Sequence, residues 1–276
     1  MDEKQDIDKM KEDILKNYPR MKREDTFNFS CHAGLKCFNQ CCADVTIALT
    51  PYDILRMKNA LDLTSDQFHA RYTLIPFNKE QQVPVVILKM NDDEGKTCPF
   101  VSEKGCTIYE DRPWACRMYP VGLASPADGH VEEEEFYFIM KDRPCDGLNE
   151  PKTWTISEWI ENQGIGEYNE MGELFKEVSL HPKLVGGMEL DPKKMDMFYI
   201  ACYDIDKFRD FVFESTFLEK MKIDPDLLEK VKKDDLELLK LAFNWLKFSL
   251  FGERTMELKE EIVEFAKKAK QQKNSE

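Results

Sequence analysis

The residues in this chain whose types and spacing could do chemistry are its cysteines. Four follow the pattern C-x5-C-x3-C-C at Cys31, Cys37, Cys41 and Cys42; Cys98, Cys106 and Cys116 are threaded through CPFVSEKGCTIYEDRPWACRMYP; Cys145 follows in RPCDG. Cysteine binds metals as the thiolate, and zinc and iron–sulfur clusters typically take four such ligands. These eight thiols therefore suffice for up to two four-ligand sites. Structural zinc sites present pairs spaced C-x2-C to C-x4-C, and within this chain that window is met in the knuckle, by Cys37-x3-Cys41. Clusters are larger and accept ligands from scattered loops, so the spacing favours an iron–sulfur cluster, with zinc as the alternative.

The adjacent pair Cys41-Cys42 carries further information. In an extended chain neighbouring side chains point to opposite faces. The two are thus expected to serve different sites, or one binds metal while the other stays a nucleophilic thiol of depressed pKa. Eight thiolates with two sites of +2 leave −8 + 4 = −4, so positive hydrogen-bond donors are needed nearby. Arg112 and Arg117 flank Cys116 and suit that role; alternatively each ties a carboxylate or backbone carbonyls to hold the loop. Cys202, isolated among Tyr199, Ile200 and Tyr203, reads as a small buried apolar residue.

The totals set the context. At 276 residues the chain can bury a core without cross-links, so the cysteines are not needed as staples. A net charge of −14, with no basic stripe, argues against nucleic-acid binding, which requires Lys and Arg to neutralise phosphates. The first twenty residues are charged and carry no apolar run, as a secretory or transit signal would. No window approaches the roughly 18 to 20 apolar residues that span a bilayer. A cytoplasmic location is expected, where thiols stay reduced and clustered cysteines read as metal ligands before disulfides.

Several elements must position these groups. Ile7, Met10, Ile14 and Leu15 have the spacing of a short amphipathic helix over residues 5–17. The Gly, Asn and Ser content of SCHAGLKCFNQCCAD suits a tight knuckle. Thr50-Pro51-Tyr52-Asp53 is a helix start, with Asp53 as a first-turn acid, and Thr64-Ser65-Asp66 opens a second helix. Val83 to Met90 is the best strand candidate; Val131 to Met140 is expected to pair with it, after a Gly-, Pro- and Ala-rich loop beyond Pro120. Thr155 or Ser157 opens a helix through Trp159. From about Asp191 the chain is helix after helix, and its dense Phe, Leu and Trp read as core or, less simply, as a partner surface.

His32 follows Cys31 and could be a stray ligand, whereas His69, His130 and His181 stand alone. There is no Gly-rich phosphate loop, nucleophile elbow or zinc-protease helix, and so no assigned catalytic residue and no other cofactor site.

A cysteine group ending in CC, a T-P-x-D helix start, CPF…GCTIYEDRPWACRMYP and a later C-x-G together resemble the YkgJ family of zinc- or iron-chelating cysteine-cluster proteins, over roughly Phe27 to Trp159. The family pattern is C-x2-C-x2-C-C, where this chain has C-x5-C-x3-C-C. The resemblance carries metal ligation to Cys37, Cys41, Cys42, Cys98, Cys106, Cys116 and Cys145, with Arg112, Pro113, Arg117, Tyr119 and Pro120 in support. A related branch includes flagellin lysine methylases, which implies that such a domain can accompany protein modification, although no methyl-transfer motif stands out here. The expected architecture is α+β: an N-terminal helix and lead-in over 1–26, a cysteine-rich metal-binding domain of short strands and helices over 27–170, and a mostly helical extension over 171–276. The expected function is metal binding with a redox or protein-modifying role. The alternatives are a non-catalytic zinc protein whose helical extension binds a protein partner, and a lysine methyltransferase-like activity.

Overall fold

A computed structural model describes residues 18–76, 82–124, 135–141 and 143–273, with the side chains of 266 and 268–273 left aside. The expected helix over 5–17, His130 and the first residues of the expected strand Val131–Met140 lie outside the described residues. The fold is mixed α and β, with short strands and a helical C-terminal region. It divides into two compact units, one formed by residues 1–45 and 90–169 and the other by 46–89 and 170–276.

The first unit is built from two-stranded antiparallel pairs. Thr26–Asn28 runs against Thr153–Thr155 with Phe27 opposite Trp154, and Val101–Ser102 turns back as Gly105–Cys106. Val121–Ala124 pairs with Phe136–Ile139. This last pair corrects the expected partner of the second strand. Its mate is the stretch just after Pro120, which Gly122 makes look like a loop. That glycine is required: a Cβ there would overlap the ring of Phe138 on the facing strand, so the missing side chain makes room for the aromatic. The core beneath gathers Phe27, Phe29, Met118, Val121, Tyr137, Ile156, Trp159 and Ile165. Trp159 sits edge-on to Phe27, Phe29 and Trp154 and donates its indole N–H to the Met118 carbonyl at 3.0 Å. Thr155 does cap the helix Ile156–Asn162, in a capping box with Glu158.

In the second unit, Val86–Leu88 is the middle strand between Ala48–Leu49 and Thr73–Leu74. The helices Pro51–Ala60 and Ser65–Tyr72 start at capping boxes, Thr50 with Asp53 and Thr64 with Gln67, so Asp53 is the first-turn acid its position suggests. The aromatic-rich stretches are interrupted helices. Asp204 ends Pro192–Tyr203 and caps Ile205–Glu214; Asp234 caps Asp235–Phe251 after Pro225–Val231. An Asp side chain that accepts from the N–H groups of the next turn starts a new helix where apolar periodicity alone would run on. Phe198, Phe208, Leu238, Phe243 and Leu246 are fully buried, as is Cys202 to within 2%, so the apolar density here fills a core.

Candidate metal centre

All eight clustered cysteines fall in the first unit, delivered by four separate stretches of chain. The knuckle carrying Cys31, Cys37, Cys41 and Cys42 is a run of turns ending in a 3-10 turn at Gln40–Cys42, with Asn39 in the left-handed region at φ 67°. That conformation suits Asn better than most side chains. Asn39 also donates to the Ser102 carbonyl at 2.8 Å, which ties the knuckle to the hairpin bearing Cys106.

Backbone bonds lock the two main groups together. The Cys98 N–H donates to the Cys42 carbonyl at 2.7 Å and the Asp44 N–H to the Lys96 carbonyl at 3.0 Å, with Ala43 bridged to Thr97. Arg143, two residues before Cys145, donates from Nη1 to the Ala43 carbonyl at 2.6 Å and from Nη2 to the Asp44 carbonyl. It is the positioning residue that sequence reasoning missed. At the other end of the knuckle the Ser30 N–H donates to the Gly147 carbonyl at 3.0 Å. A Cβ on Gly147 would lie 2.8 Å from the Ser30 carbonyl oxygen and 3.0 Å from the Phe29 ring. The glycine of the C-x-G thus permits the close approach that brings Cys31 beside Cys145.

The thiols sort into two neighbourhoods. The charges of Cys41, Cys145 and Cys37 all act on Cys31, and Cys37 Sγ accepts the Asp146 N–H at 3.2 Å. Cys42 feels Cys41 and then Cys98 and Cys116, and Cys98 feels Cys106. Between the sets stands the adjacent pair, in which the Cys42 thiol hydrogen-bonds to Cys41.

Their acidities follow from this placement. The hydrogen bond holds Cys41 below the usual thiol range against the opposing effect of burial, and Arg143 adds to the lowering. The same bond, then burial and the neighbouring thiolates, raises Cys42. Cys31 keeps solvent contact, yet the protein around its sulfur, and then the charges of its three neighbours, push it up to about 11. Burial also raises Cys98 and Cys106, the latter opposed by a backbone hydrogen bond and by Arg112.

Arg112 and Arg117 prove to be loop clamps. Arg112 lies over the Tyr109 ring at 3.7 Å and donates to the Tyr109 carbonyl and Gln163 Oε1. Arg117 donates to the carbonyls of Arg112 at 3.1 Å, Gln163 at 2.6 Å and Glu110. Both are buried, at 7% and 6% exposure. Burial and the charge of Arg117 lower the Arg112 pKa, while Tyr109, Cys116 and Cys106 oppose that, so the guanidinium also belongs to the electrostatic surroundings of the second set. Both ring nitrogens of His32 have other partners: Nδ1 accepts the Gly34 N–H and Nε2 faces Glu150 at 3.5 Å.

The donor set fits a metal by chemistry, with eight thiols in one unit and no disulfide among the described residues. Among those residues, no three His, Cys, Asp or Glu side chains stand close enough to enclose a single ion as placed. What is preformed is the neighbourhood and its backbone clamps.

A segment that collects eight thiols from four stretches around a clamped knuckle defines a cysteine-cluster domain. Residues 30–147 match the model of the CxxCxxCC family, described as "Putative zinc- or iron-chelating domain". Metal binding is the role that this match supports. No curated protein and no solved structure matches the chain. Among the described residues no helix is long and apolar enough to cross a membrane.

Proposed function

We propose that the first unit holds two four-thiolate metal sites, one from Cys31, Cys37, Cys41 and Cys145 and the other from Cys42, Cys98, Cys106 and Cys116, and that the metal is iron in iron–sulfur clusters. The observation that carries this reading is the four-and-four grouping of thiols around the Cys41-Cys42 pair. It supports assigning Cys41 and Cys42 to different sites by their other neighbours, since the pair lies in a 3-10 turn with its thiols hydrogen-bonded and not in extended chain with opposite faces. The scatter of the cysteines along the chain supports iron. Tetrahedral zinc, at about 2.3 Å from each sulfur, draws its four ligands nearly into contact, whereas a cluster accommodates sulfurs standing farther apart. When bound, such clusters supply electron-transfer chemistry, and a redox role goes with this reading.

The test is anaerobic purification of the full chain with metal and sulfide analysis. Brown protein containing iron and acid-labile sulfide is expected, and colourless protein containing zinc alone refutes the iron assignment. The division is tested separately by Cys37→Ser and Cys106→Ser. Each should remove about half of the bound metal, and the double variant all of it. Loss of all metal from either single variant refutes two independent sites.

A further inference from the structure

Beside Cys145 a cleft of about 430 Å³ opens in the first unit. That lies within the roughly 300–1,000 Å³ of small-molecule sites. Its lining includes Ile139 and Leu148, the strand residues Phe27 and Asn28, and Asn149, and the charged residues in it, Lys141 and Arg143, are both cations. A doubly cationic lining is against the trend of a chain with net charge −14. Arg143 spends one N–H of Nη1 and one of Nη2 on the Ala43 and Asp44 carbonyls. A guanidinium has five N–H groups, so donors remain for a ligand, on a side chain whose orientation the knuckle has already set. This lowers the ordering entropy a ligand must overcome.

We propose that this cleft binds a small organic anion, a carboxylate with an apolar body, whose body lies on Ile139 and Leu148 and whose charge faces Lys141 and Arg143. The inference stands on the lining of the cleft and goes beyond the metal reading. Because Cys145 also lines the cleft, it places the ligand next to the first proposed thiolate set, as expected of a substrate or effector of that site.

The test is calorimetric titration of the anaerobically purified full chain with 4-phenylbutyrate and, separately, with 4-phenylbutyramide, metal content being measured on the same samples. The acid should bind saturably, the amide at least about tenfold more weakly, and Lys141→Glu should weaken the acid by about tenfold. Lys141 is exposed, so its reversal leaves the fold intact. No saturable binding of the acid, equal binding of acid and amide, or unchanged binding by Lys141→Glu each overturns the cleft proposal, whatever the metal content. Selective binding by protein that carries no iron upholds the cleft while refuting the iron reading, so the two fail separately.

Discussion

Removing the Arg143 side chain should loosen the knuckle at the end that bears Cys41 and Cys42. Arg143 makes two charge-assisted bonds to consecutive carbonyls, Ala43 at 2.6 Å and Asp44, reaching across about a hundred residues of chain. A hydrogen bond to a charged group contributes about 1.5–3 kcal/mol when buried. Arg143 is half-buried, and discounting for exposure leaves roughly 2–4 kcal/mol for the pair. In Arg143→Ala the local opening free energy should fall by that amount. The amides that report it are those of Asp44 and Cys98, bonded to the Lys96 and Cys42 carbonyls; their hydrogen exchange should accelerate about 30- to 700-fold at 1.4 kcal/mol per decade. A second readout follows from electrostatics. Arg143 helps to lower Cys41, so in reduced, chelator-treated protein Arg143→Ala should slow alkylation of Cys41 at neutral pH. Arg143→Lys keeps the charge but loses the fork, and should restore part of the alkylation rate but little of the exchange protection. Exchange at Asp44 and Cys98 within about twofold of the parent, together with unchanged alkylation of Cys41, would refute the assignment of Arg143 as the clamp.

Gly147→Ala forces a Cβ to 2.8 Å from the Ser30 carbonyl oxygen; by the usual scale of overpacking it should destabilise the unit by about 1–3 kcal/mol, seen as a lower denaturation midpoint. The same substitution should weaken metal retention by the Cys31 set before the Cys106 set, and equal loss from both would count against the grouping. In reduced, chelator-treated protein at pH 7 about one Cys31 in ten thousand is thiolate, given a pKa pushed up to about 11. Alkylation of Cys31 should therefore rise about a hundredfold from pH 7 to pH 9, while Cys41, held below the usual range, rises less; mass spectrometry of the labelled peptides reads both, and parallel profiles would contradict the thiol environments. Gly122→Ala drives a methyl group into the Phe138 ring and should destabilise the unit by about 1–3 kcal/mol, with Gly122→Ala/Phe138→Leu recovering part of the loss in a double-mutant cycle.

The two-set arrangement also bears on how the domain assembles. Cys41 and Cys42 are neighbours in sequence yet belong to different neighbourhoods, joined by one hydrogen bond. Whatever is held by one set is thereby mechanically linked to the other through a single 3-10 turn at Gln40–Cys42. Both sets also depend on backbone bonds from segments some fifty or more residues away, such as Cys98 to Cys42. Binding at either set would restrict those long closures and so add to the stability of the unit.

What the sequence determined by itself is what short-range chemistry controls. The helix starts at Thr50 and Thr64 are visible, and the third is narrowed to Thr155 or Ser157, because a cap is complete within four residues. The membership of the cysteine cluster stands out because thiols in that density have few other uses in a chain large enough to fold without staples. Cys202 is recognisable as core from its apolar neighbours. The tertiary structure alone decided the rest, because each remaining feature is a pairing between distant segments with no local signature. Nothing near Arg143 in sequence indicates that it clamps carbonyls at Ala43 and Asp44. Gly122 hides a strand precisely where a facing ring needs its missing Cβ, a fact that belongs to Phe138. Arg112 and Arg117, which adjacency to Cys116 left open between sulfur donors and loop clamps, were decided by where the Tyr109 carbonyl and Gln163 Oε1 lie for the first and the Gln163 and Glu110 carbonyls for the second. Which thiols neighbour which is of the same kind, since it depends on distant stretches of chain meeting, and spacing along any one of them does not encode which faces which.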